Sequence, residues 1–526
     1  MKPAALFALL TASAVLLSGC ELTDLLHGES SETGLSDHSA QRYSVDRVRD
    51  RVTQLQEIWR SDDKRAETEQ AVSDLVTAVD DASAVYLRAE MQYYADWDSD
   101  DLTALHTETA EDYYAVAAIV GWAMAHGAAK SRFPELFEPY CDPEWSDYYL
   151  SNTLTRVISD ARADSESNHA LLDEYYATAR DDALSESETN EACAKLYLET
   201  LDTYDTSHYL YDQYARDYTV EDTAAVYREV VSDVVPIYTA LTERVKNDPR
   251  AAAVKAERRE ENPFETVNRY AAQVSPALAE SAEKLLSEQL YTFASGDSCY
   301  DGSYTVNMPH EQRAMIYLYR ANDFYDFISG VHEFGHFHAD WRDPTPTLLQ
   351  KTCIDVAEIQ SQGLEMIYTH FYPEIFGDSA SYLELAELLN IVDSVVSGFA
   401  IGEFEYEVMQ RGEQCTADDV LSIYDRISGE CGLEIELYQI SHLFENPGYY
   451  VSYGASALAA LEIYTAMQTD FRQGADLYQK IASISSFTGE YRLREALAEV
   501  GMTDIFSAEC IPQMIGALEN RIEALS

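Results

Sequence analysis

The chain is short of positive charge: 36 Lys and Arg stand against 93 Asp and Glu in 526 residues, for a net charge of −57 and a pI near 4.3. Nucleic-acid binding needs a basic surface to meet phosphates, so that class is excluded. The acid is spread along the chain and forms no tail. It suits either attraction of cationic peptides or adaptation to high salt, the latter supported by scarce lysine and abundant aspartate. Cysteine is scarce too. No two of the eight form a C-x-x-C pair, which disfavours a structural thiolate zinc site. With Cys20 set aside the count is odd, so at least one thiol is unpaired, and Cys415 with Cys431 is the pairing considered. Beyond the N-terminal segment no run approaches 18 apolar residues, the length a membrane-spanning helix needs. No regular repeat occurs, which disfavours a solenoid.

What remains is helical pattern. From Ala40 to Ser287 apolar residues recur at three- and four-residue spacings with few glycines, broken near Pro134, Asp142-Pro143, Asn247-Asp248-Pro249 and Asn262-Pro263. Strand signals are strongest at Gly296 to Pro309 and Met315 to Tyr319. Helical periodicity resumes at Asp323 and is interrupted around Phe376-Gly377, Ser428-Gly429 and Pro447-Gly448.

The chemistry-bearing motif is His332-Glu333-Phe334-Gly335-His336. On a helix, positions i and i+4 share a face, so both imidazoles reach one metal ion while Glu333 points to a water on it. Asn322 or Asp323 is a candidate cap, and Phe324, Phe327, Ile328 and Val331 supply the apolar stripe. Gly335 costs about 1 kcal/mol of helix propensity, and its small size suits close approach of another segment. Hydrolytic zinc takes three protein ligands and a water, so a third ligand is required. Downstream, Asp355-Val-Ala-Glu358-Ile-Gln-Ser361-Gln362-Gly-Leu-Glu365 reads as a helix with its polar groups on one stripe. Glu358 is the third-ligand candidate, and Asp355 or Glu365 the carboxylate that holds a ligand histidine through its other ring nitrogen. The bland alternatives are a hydrogen-bonded histidine pair and a solvated acidic face.

These two motifs at this separation resemble the thimet-oligopeptidase and oligoendopeptidase-F family of zinc metallopeptidases, closer to the second branch. Gly302-Ser303-Tyr304, Met308-Pro309 and Met315 to Tyr319 resemble the family's stretch before the zinc helix. His442 followed by Pro447-Gly448-Tyr449-Tyr450-Val451-Ser452-Tyr453-Gly454 resembles its His- and Tyr-rich loop, and Arg216 to Asp222 leading into Val234 to Tyr238 is also similar. The likeness spans roughly residues 200 to 470. Departures are Ala339, with His338 one place earlier than the family's further histidine, Gln360 in place of a proline, and Gly448 in place of an aromatic residue.

The resemblance implies a mostly α, two-lobed metallopeptidase, with a small β-sheet beside the zinc helix and a deep cleft that admits oligopeptides and excludes folded proteins. In this reading His332, His336 and Glu358 hold one Zn²⁺, Glu333 is the general base, and His442, Tyr449 and Tyr453 donate to the oxyanion. Expected partners are short peptide substrates, with the chain a monomer. The alternatives are a non-hydrolytic peptide-binding lipoprotein, and a helical zinc carboxypeptidase or dipeptidase.

At the N-terminus, Met1-Lys2-Pro3, the apolar run Ala4 to Leu17 and Leu17-Ser18-Gly19-Cys20 resemble a bacterial lipoprotein signal, which implies lipidation of Cys20 and export. Expected boundaries are therefore 1–19 signal peptide, 20–40 flexible tether, 41–290 helical lobe and 291–526 catalytic lobe. The only expected membrane contact is the lipid anchor.

Overall fold

The computed structural model describes residues 42–181, 183–204 and 213–525, together with the backbone of 16–18. Cys20 and the expected tether lie outside the described residues. The protein is mostly α-helical with one small sheet, as the periodicity indicates.

Two compact units are present, and neither is continuous in sequence. One comprises Met1–Leu171, Leu290–Tyr319 and Asp340–Gln350; the other comprises Leu172–Gln289, Arg320–Ala339 and Lys351–Ser526. The boundary expected near residue 290 therefore does not separate them. Helices after residue 171 pack with the C-terminal half, whereas the strands at 290–319 pack with the early helices.

In the first unit, the helices Arg65–Ala95 and Asp100–Lys130 pack side by side, the second capped by Ser99. The sheet order is β1-β3-β4-β2, with β1 Leu16–Ser18, β2 Tyr291–Ala294, β3 Ser303–Met308 and β4 Arg313–Tyr319. β3 and β4 are antiparallel, Tyr304 facing Tyr317, and β2 is parallel to β4, Tyr291 facing Ile316. Three backbone residues of the expected signal segment form β1 on the outer edge of β3. β3 is buried along its whole length, so Ser303, Thr305 and Asn307, which alternate with Tyr304, Val306 and Met308, are as enclosed as their apolar neighbours. The tyrosines here are packing groups: Tyr317 donates its hydroxyl to the carbonyls of Tyr94 and Tyr300 at 2.8 Å.

The second unit holds four helices that matter for chemistry: the motif helix Tyr325–Asp340, the ligand helix Ile354–Tyr368, the long helix Ala380–Arg411 and the loop helix Val451–Thr469. Asp323 accepts the Tyr325 N–H at 2.8 Å just before the motif helix, while Asn322 is in the left-handed region at φ 58°. Every residue of the ligand helix is buried. The apolar stretch within Ile354–Gln414 is 78% buried inside the protein, so core packing accounts for its hydropathy.

All seven described cysteines are free thiols, so the Cys415–Cys431 pairing is not formed. Cys431 ends the helix Ala417–Cys431 and Cys415 lies two residues before its start, so the helix holds their Cα atoms about 20 Å apart at 1.5 Å per residue, far beyond disulfide reach.

Candidate metal centre

Close helix packing builds the site. A Cβ on Gly335 would stand 2.6 Å from the Gln360 carbonyl oxygen and 2.6 Å from Ser361 Cα. Only glycine permits that approach, and it brings Glu358, less than one turn away, up to the two motif histidines. Gln360 fills the space beside this contact and donates to the Ile484 carbonyl at 2.8 Å.

The ligand atoms of His332, His336 and Glu358 lie within 4.8 Å of one another, all buried. Glu358 Oε2 is 3.4 Å from His332 Nε2 and 3.7 Å from His336 Nε2, and neither nitrogen has a hydrogen-bond partner. These spacings are long for hydrogen bonds but match ligands sharing a cation: bonds near 2.0–2.1 Å in a tetrahedron place ligands about 3.3 Å apart. Buried imidazole nitrogens without partners are costly unless a ligand claims them. The donor set, two nitrogens and one carboxylate, is that of a hydrolytic zinc site. The residues present fit zinc.

The surroundings prepare each ligand. His332 Nδ1 is hydrogen-bonded to Glu365, which fixes the ring and leaves Nε2 for the metal. Burial opposes charge on both imidazoles. At His336 it prevails and lowers the pKa to about 4; at His332 Glu365 and Glu358 outweigh it and raise the pKa well above its ordinary value. Burial also opposes ionisation of Glu358, but His336, His332 and the Tyr449 hydroxyl prevail and hold its carboxyl at about 2. Ser361 donates to Glu358 Oε2 at 3.1 Å. Behind Glu365 stands Glu387 of the long helix, whose carboxyl burial and the neighbouring Glu365 push well above the usual range.

Glu333 is fully buried on the motif helix beside these ligands. His442, Tyr449 and Tyr453 are gathered together: the His442 ring centroid is 5.0 Å from that of Tyr449 and 5.6 Å from that of Tyr453, and Tyr453 Oη is 3.2 Å from His442 Nε2. The Tyr449 hydroxyl donates to Glu358 Oε1. Asp355 is not beside a ligand histidine. Its carboxylate accepts from Tyr218 at 3.1 Å and lies 3.7 Å from Arg216 Nε. The two histidine-holding candidates sit about three helical turns apart, and the separation of the helices leaves only Glu365 within reach. His338, one place from the family's further histidine, meets Ser281 Oγ at 2.8 Å through Nδ1. Glu387 and Arg216 carry no sequence signal of their own, beyond Arg216's place in the Arg216 to Asp222 stretch that resembles the family.

No protein-family model matches the chain, and no curated protein sequence matches it. Solved structures do. A provisionally named oligoendopeptidase F superposes with a TM-score of 0.72 at 14% identity, over 93% of this chain and 98% of that one. PZ peptidase A with an inhibitor gives 0.69 at 13% identity over 93% and 99%. The chain has the oligoendopeptidase F fold. A second provisionally named oligoendopeptidase F, from Bacillus anthracis, shares that fold with a TM-score of 0.67 at 14% identity, over 94% and 99%.

Proposed function

We propose that the chain is a zinc-dependent endopeptidase of the oligoendopeptidase F family that hydrolyses short oligopeptides. The carrying observation is the buried convergence of His332, His336 and Glu358, with partnerless Nε2 atoms, next to a buried Glu333. The names of the fold neighbours support a peptide as substrate.

When bound, Zn²⁺ supplies a polarised carbonyl and a water acidic enough to attack at neutral pH. Glu333 takes the proton from the attacking water and passes it to the leaving amine. His442 and Tyr453 donate to the developing oxyanion, where each such donor is worth about 3 kcal/mol. Tyr449, held on Glu358 Oε1, orients the ligand carboxylate so that Oε2 faces the histidines. Glu365 orients His332 in the same way.

The test is cleavage of a peptide library by purified protein, with and without chelator. Internal cuts restricted to short peptides, lost on chelation and restored by zinc, are expected. Cuts at chain ends alone indicate an exopeptidase, and no cuts contradict the reading. The segment ending at Cys20 supports export and lipid anchoring to a bacterial membrane. Mature protein that keeps its size but lacks lipid in a globomycin-treated host contradicts that part.

A further inference from the structure

We propose that Arg216 is a positioning residue, which locks the tyrosine loop against the helix carrying Glu358; the proposal rests on the peptidase reading above. Arg216 lies 232 residues before Gly448 in the chain, yet its Nη2 donates to the Gly448 carbonyl at 2.8 Å and to Ser452 Oγ at 2.7 Å. Its Nε stands 3.7 Å from Asp355 Oδ1, one turn before Glu358, and both side chains are completely buried. The same short segment adds two tyrosines. Tyr214 donates to the Pro447 carbonyl at 3.0 Å and Tyr218 to Asp355 at 3.1 Å, and the guanidinium carbon is 4.7 Å from the Tyr214 ring centroid.

From the opposite side, Glu405 of the long helix accepts the Gly448 N–H at 2.6 Å. Gly448 takes a left-handed φ of 82°, so the turn is held by both its N–H and its C=O in a conformation suited to glycine. A planar guanidinium with several fixed donors spans the loop and the ligand helix together, which a lysine ammonium does not. Burying a charge pair brings little net stability compared with apolar packing. Fixed geometry is what the arrangement supplies, and it is needed here because Tyr449 must meet Glu358 while Tyr453 meets the substrate. A misplacement of about 1 Å in such groups costs on the order of 100-fold in rate.

The experiment is Arg216→Lys, which keeps a charge opposite Asp355, compared with wild type for zinc content, KM and kcat. The expected result is a kcat lower by about 10- to 100-fold, with zinc content and KM nearly unchanged. In a Tyr453→Phe background the same substitution should cost less than it does in wild type, because one of the groups it positions is gone. A folded, zinc-loaded Arg216→Lys with wild-type kcat, or losses that multiply in full across the two substitutions, overturns the proposal. If Arg216→Lys does not fold, Ser452→Ala, which removes one acceptor and no charge, decides. A several-fold lower kcat that shrinks in the Tyr453→Phe background supports the clamp, and an unchanged kcat overturns it. Wild-type protein that cuts no peptide refutes the peptidase reading and the clamp with it, whereas active wild type beside an unaffected Arg216→Lys refutes the clamp alone.

Discussion

Glu358 on the ligand helix and Glu405 on the long helix are both 0% exposed, yet the first carboxyl is held at about 2 and the second is pushed up to about 8. Burial disfavours the charged form equally in kind at both, so their partners make the difference. Glu358 faces two imidazoles and accepts from Tyr449 and Ser361. Glu405 has the Gly448 N–H and the charge of Arg216, too little to offset its desolvation. One pocket keeps a negative charge between two imidazoles, as the proposed zinc site requires, and the other holds a loop with a mostly neutral acid.

Glutamine, the neutral isostere, breaks the pair apart. Glu358→Gln is expected to lose stable zinc binding and to reduce peptide hydrolysis to background, checked by metal analysis of dialysed protein and by a peptide assay. Next in size is Tyr453→Phe on the loop that Glu405 holds. It should lower kcat by about 10²–10³-fold, the usual cost of one oxyanion donor, with zinc content unchanged in the same assays. Glu365→Gln should weaken zinc by about 10- to 100-fold, read by competition with a chromogenic chelator. The smallest effect is expected at Glu405→Gln, with kcat within about twofold of wild type because an amide oxygen still accepts the Gly448 N–H.

The Glu405 variant also tests the pH sign. A folded pKa of about 8 against an ordinary 4.5 means the folded state binds the proton more tightly. That contribution to stability is complete below the ordinary value and is lost as pH rises through about 8, at up to about 1.4 kcal/mol per pH unit. Melting temperatures measured between pH 5 and 8 should therefore fall less steeply in Glu405→Gln than in wild type.

The two pockets also differ in how legible they were. His332, Glu333 and His336 share one helical turn, so spacing alone brings them together, and Gly335 signalled close packing that the Gln360–Ser361 contact explains. Helical periodicity likewise conveyed the fold class. Choosing Glu365 over Asp355 required the position of a second helix, because both lie on the same polar stripe. The hold on the loop was not legible: Arg216 and Tyr214 act across more than 200 residues, and one more glutamate such as Glu405 or Glu387 carries no signal in a chain with 93 acidic residues. The short strand Tyr291–Ala294 was hidden for a related reason, since its pairing with β4 is long-range and parallel.

The most direct measurement is Glu333→Gln, assayed together for zinc and for cleavage of a short peptide. Zinc near one per chain with no detectable hydrolysis is the predicted result, because the substitution leaves the three proposed ligands untouched and removes only the proposed proton carrier. Hydrolysis retained at the wild-type rate would contradict the account.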